Sequence, residues 1–132
     1  MIVVDIGNTN IVIGCYSNKK LSLTIRLETK EKKLLSKLNK INNTKKINDL
    51  NLDYKKCIIS SVSPYSTKEI INFFKKINFY IHNINIRNVP KLIKFNYELN
   101  ALGADRIANA FAAIDKYDNN ILIIDFGTAT TF

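Results

Sequence analysis

Histidine and cysteine are almost missing from this chain: His82 stands alone, and Cys15 and Cys57 are the only thiols among 132 residues. That scarcity excludes a structural zinc site, which needs four clustered nitrogen or sulfur ligands. Both cysteines sit inside apolar, strand-like runs, so buried reduced thiols are expected rather than a disulfide. No apolar stretch approaches the roughly 20 residues that cross a bilayer. Nor does the opening Met1-Ile2-Val3-Val4-Asp5 read as a secretion signal, because no basic segment precedes it and Asp5 interrupts the apolar run. A cytoplasmic protein with no membrane partner is the expectation. Two phosphate-binding solutions are missing as well, the Walker A loop and the Rossmann glycine fingerprint.

What is present fits one ordinary soluble domain: 46% hydrophobic and 23% charged residues, at a length that can bury a sizeable core. The net charge of +9 invites a nucleic-acid reading. Nearly all of the excess is lysine, however, and only Arg26, Arg87 and Arg106 carry the guanidinium suited to bidentate recognition. Abundant Lys, Asn and Ile are what AT-rich codons produce, so compositional bias accounts for the charge, which then lies on a solvated face. A basic nucleic-acid-binding module stays open as a rival class, to be recognised by binding with a steep salt dependence. A positive field also draws in nucleotide phosphates.

Hydrophobic alternation predicts strands over 2–6, 11–16 and 21–27, joined by tight turns into a three-stranded antiparallel meander. A helix is expected over 31–38 with Leu34, Leu35 and Leu38 on one face, followed by a polar connection over 39–46. The run Cys57-Ile58-Ile59 marks a buried strand over 56–61, after which Pro64 enforces a turn and Ser66 or Thr67 caps a helix to Lys76. A strand follows over 79–86. Ala104 to Lys116 is the clearest helix, with Ile107, Ala110, Phe111 and Ile114 spaced to face a core. A last strand is expected over 121–124. The alternation of helices and strands after the meander is α/β architecture.

One pattern occurs twice. Val3-Val4-Asp5-Ile6-Gly7-Asn8-Thr9 and Ile123-Ile124-Asp125-Phe126-Gly127-Thr128 each close an apolar strand with an aspartate, a glycine and a hydroxyl-bearing turn. A carboxylate at the end of a buried strand is costly unless a cation meets it. The glycine allows a sharp turn whose amides converge on an anion. Such parts suit a nucleotide phosphate chain and its metal ion, with the aspartate holding the cation or its water shell. Taken alone, the first turn would equally pass for an ordinary Asn-Gly hairpin.

The duplication resembles the actin-like kinase and ATPase superfamily, in which two related domains clasp ATP. Leu102-Gly103-Ala104-Asp105-Arg106-Ile107-Ala108-Asn109-Ala110, together with Asp5 to Asn10 and Asp125 to Thr131, resembles the signature of type III pantothenate kinases. The resemblance runs the length of the chain. It implies an actin-like, ribonuclease H-like domain over 1–118 and the start of a second over 119–132, truncated after its first strand. It implies phosphorylation of pantothenate by ATP with a divalent cation, in a homodimer, as the first step of coenzyme A biosynthesis. By the same resemblance, Asp105 is the general base, and Tyr97, Gly103, Ala104, Asp105 and Arg106 line the pantothenate site. Asp5, Ile6, Gly7, Asn8, Thr9, Asn10, Ile11, Val12 and Thr128 contact ATP, and Asp125 holds potassium or ammonium. Without its second half the chain alone is expected to be inactive. A non-catalytic remnant with weak nucleotide binding is the other outcome left open.

Overall fold

The computed structural model describes residues 1–30, 33–43, 55–88, 94, 96, 102–127 and 130–132. Strand β1 (Ile2–Ile6) buries Ile2, Val4 and Ile6 on one face and turns Val3 and Asp5 to the other. It pairs antiparallel with β2 (Asn10–Ser17), which in turn pairs antiparallel with β3 (Lys20–Glu28). The β2–β3 reversal uses Asn18 and Lys19, both at positive φ, which matches the twist that two-residue hairpins require.

On its other edge β1 pairs in parallel with β4 (Lys56–Ser61), and β4 pairs in parallel with β5 (Tyr80–Asn83), giving a mixed sheet in the order β3-β2-β1-β4-β5. Helices α1 (Leu34–Asn43) and α2 (Pro64–Lys76) supply Leu34, Leu38, Ile70, Phe73 and Phe74 to the core with Ile11, Ile13 and Ile59. The third helix, α3 (Ala104–Lys116), packs against β4. The fold is thus α/β. No helix among the described residues is long and apolar enough to cross a membrane.

Both thiols are buried and free, as expected. The ladder shows why they cannot join: Cys15 and Cys57 flank Ile2 on opposite sides of β1. Two strand spacings of roughly 4.8 Å exceed the roughly 7 Å that a disulfide can span. Burial pushes the Cys57 thiol up to about 12, with Cys15 adding to the rise.

Several boundaries differ from the sequence reading. Helix α2 begins at Pro64 with Ser63 in the cap position, because proline's fixed φ and missing N–H suit the first helical residue. Ser66 and Thr67 instead lie buried in its first turn, where Ser66 Oγ donates to the Thr29 carbonyl at 3.0 Å. Helix α1 runs on to Asn43, through what was expected to be a polar connection. Its core stripe is Leu34, Leu38 and Ile41, which leaves Leu35 exposed. Strand β5 stops at Asn83, since Asn85 and Asn88 form a side-chain-closed turn in which Arg87 N–H donates to Asn85 Oδ1 at 2.9 Å. Ile121 to Ile124 forms no strand, and the chain pairs only at β6 (Asp125–Phe126) with β7 (Thr130–Thr131). With no neighbouring strand among the described residues to take up its backbone groups, the 121–124 run stays irregular. Ile114, near the end of α3, is likewise exposed.

Candidate active site

The turn after β1 is built by close backbone contacts. Gly7 N–H donates to the Asn10 carbonyl at 2.9 Å, and a Cβ on Gly7 would sit only 3.2 Å from that same oxygen. No glycine described has positive φ, so Gly7 is required by this close approach rather than by a left-handed backbone. Its amide is spent inside the turn, and Asn8 and Thr9 are the residues exposed at the tip.

Thr29, just past β3, braces this turn. Its N–H donates to the Thr9 carbonyl at 2.9 Å and its Oγ1 to the Gly7 carbonyl at 2.8 Å. Nothing in the sequence pattern marks Thr29, because its partners in the turn are 20 and 22 positions away. The side chains of Ile6 and Ile11 are fully buried in the core, which leaves only their backbone to face a ligand. Val12 is the register partner of Asp5.

Asp5 stands on the sheet face opposite this core, and the Asp105 and Asp125 carboxylates both lie near enough to raise its pKa. Desolvation is the largest cause of that rise, although the side chain keeps over a third of its surface open to water. Ser60, the register partner of Asp5 on β4, opposes the rise. Its hydroxyl is buried and makes no hydrogen bond of full geometry among the described residues. Sequence reasoning passed over Ser60; only the parallel register sets it beside the aspartate.

A raised carboxyl pKa means that the folded state prefers protonated Asp5. Its stabilising contribution is complete below the ordinary carboxylate range and is lost as pH climbs through the raised value. Asp5→Asn is therefore expected to raise the melting temperature at pH 7 and to leave it unchanged at pH 3. Solvent screening keeps the gain small. Thermal denaturation at the two pH values checks it, and a lower melting temperature at pH 7 would count against the like-charge cluster.

Asp105 and Arg106 occupy the first turn of α3, where a carboxylate complements the helix dipole. Asp105 Oδ1 accepts from Arg106 N–H at 2.8 Å. Beyond them a cavity of about 450 Å³ is lined by Arg106, Asn109, Asp125 and Thr131 among others. The sequence reading had singled out Arg106 and Asp125; Asn109, one helical turn after Arg106, and Thr131 join them only in the fold. Asp105 on α3 and Asp125 on β6 thus lie within electrostatic range of Asp5 on β1, and Arg106 and Asp125 line one cavity, across more than a hundred residues of chain. Tyr97 and Thr128 lie outside the described residues. Among the described residues no three Asp, Glu, His or Cys side chains are grouped closely enough to hold one metal ion. The donor set nevertheless fits a cation held by one carboxylate and its water shell, since a cation there would offset the negative charge that Asp105 and Asp125 place on Asp5.

Residues 1–132 match the family model described as type III pantothenate kinase. The chain belongs to that family. Among curated relatives, the type III pantothenate kinase of Pelagibacter ubique is 39% identical over 136 residues, a match that covers all of this chain and 52% of the relative. Those of Citrifermentans bemidjiense and Geobacter sp. are each 34% identical over 137 residues, covering 53% of each relative. The chain therefore spans about half the length of the type III pantothenate kinases it matches.

Proposed function

We propose that this chain supplies the base-bearing half of an enzyme that phosphorylates pantothenate with ATP to give 4'-phosphopantothenate, the first step of coenzyme A biosynthesis. The observation that carries the reading is that Asp105 and Asp125 lie within electrostatic range of Asp5, with Asp125 and Arg106 lining one cavity. In the reaction, the substrate hydroxyl oxygen attacks the γ-phosphorus and the bond from phosphorus to the β-bridging oxygen breaks. ADP leaves, and Asp105 takes the hydroxyl proton. Arg106 pairs with the substrate carboxylate, a charge-assisted contact for which guanidinium is well shaped. By the family resemblance, Tyr97, Gly103 and Ala104 also contact pantothenate.

On this reading Asp5 and the turn Gly7 to Asn10 face the ATP phosphates, with Thr128 as a further nucleotide contact. A divalent cation on ATP neutralises the carboxylates' repulsion, and potassium or ammonium sits at Asp125. Residues 1–118 form the first actin-like domain and 119–132 open the second. The apolar side chains exposed there, Leu122, Ile124 and Phe126, are then covered by the other half of the enzyme, which works as a cytoplasmic homodimer. The 132-residue chain alone is expected to make no phosphopantothenate, whereas the full reading frame that carries it does so in a potassium-dependent manner. A coupled phosphorylation assay with and without potassium tests this. No product from the full frame would overturn the activity, and product from the chain alone would overturn the need for the other half.

A further inference from the structure

We propose that Gly103 is a positioning residue: its missing side chain leaves the space in which the Asp105 carboxylate is seated. The inference rests on the reading of Asp105 as the base. Gly103 caps α3, and its carbonyl accepts from Ile107 N–H at 3.2 Å. Its backbone, at φ −62° and ψ 149°, is an extended conformation open to any residue, so the helix cap does not demand glycine.

The demand comes from the side chain two positions on. A Cβ built on Gly103 collides with Asp105 Oδ1 and approaches Asp105 Cγ to 3.4 Å. The next neighbour, Val62 Cγ1, lies at an ordinary 3.6 Å. Among the described residues the conflict is therefore confined to the carboxylate. That carboxylate is the group whose Oδ1 accepts from Arg106 N–H and whose charge reaches Asp5. Alanine at 103 leaves the fold room to form and evicts the carboxylate from its seat.

Three measurements test the proposal. In the 132-residue chain, Gly103→Ala is expected to turn the Asp105 carboxylate so that Oδ1 leaves its seat, a rotation that the broad terminal torsion of aspartate permits. The Arg106 amide then loses its acceptor and exchanges faster. An unchanged Arg106 amide overturns the proposal. The second is a double-mutant cycle, which does not depend on the amide readout. Once Asp105→Ala has removed the carboxylate, adding Gly103→Ala should cost no further stability, and a clear loss of stability there would show a structural role for the glycine and overturn the proposal.

The third uses the full reading frame, where Gly103→Ala should lower kcat about a hundredfold with KM for ATP unchanged, as expected for a misplaced catalytic group. A rise in KM for ATP with kcat intact overturns it. Should Asp105→Asn keep full activity while the amide-exchange result holds, the base assignment fails and the seat at Gly103 stands.

Discussion

Asp105→Asn in the full reading frame is expected to cut turnover by about 10²- to 10⁴-fold while ATP binding persists, the range that general base catalysis contributes. The amide is nearly the shape of the carboxylate, and its oxygen can still accept from the Arg106 amide, so the first turn of α3 should be undisturbed. What it loses is the capacity to take a proton from the attacking hydroxyl. It also removes one of the negative charges that raise the pKa of Asp5, and because ATP with one divalent cation is still net anionic, its affinity should not fall. Steady-state kinetics paired with calorimetric titration of ATP separate the two effects. Phosphorylation of pantothenate at a near-normal rate would refute the assignment, and a parallel collapse of ATP affinity would place Asp105 with the nucleotide instead.

Phe74→Ala should remove much of the chain's net stability. Phe74 is fully buried, with its ring edge-on to Phe73 at 5.2 Å and to Phe79 at 5.4 Å. The residue also ends α2 in a specific way. Asn78 sits at φ 63°, its N–H reaches the Lys75 carbonyl at 3.0 Å, and Phe79 N–H reaches the Phe74 carbonyl at 2.9 Å. This is a Schellman closure, whose usual apolar contact is here the Phe74–Phe79 ring pair. Truncation to alanine removes that contact and opens a cavity at the centre of the core, at a cost of about 3 to 5 kcal/mol. Against a typical net stability of about 5 to 15 kcal/mol, much of the margin is gone. Thermal denaturation should show a fall of roughly 10 to 20 °C. A fall of only a few degrees would mean that the core repacks around the gap.

Much of the fold was legible because strand burial alternates with period two and helix burial with period near four, and both periods are written in the order of residues. Ile2, Val4 and Ile6 announce β1, and Ile70, Phe73 and Phe74 announce the core face of α2. Boundaries were less legible where local chemistry competes. Pro64 reads equally as a turn residue or as a helix start, and the Lys- and Asn-rich continuation of α1 is polar because it is a solvated helical face. The 121–124 run shows the opposite failure: its apolar sequence is suited to a strand, but a strand also needs a neighbour.

Of the candidate site, the sequence by itself determined the chemical parts: two aspartates that each end an apolar run before a glycine, and an Asp105-Arg106 pair opening a helix. These are local patterns, and their family resemblance is carried by short contiguous motifs. Only the tertiary structure decided what stands beside them. Ser60 reaches Asp5 through the parallel β1–β4 register, Thr29 clamps the Gly7 turn from beyond β3, and Asn109 and Thr131 join Arg106 and Asp125 around one cavity. Each of these placements depends on strand order and register. Those are settled by burying the whole core at once, not by any stretch of chain short enough to be read as a motif.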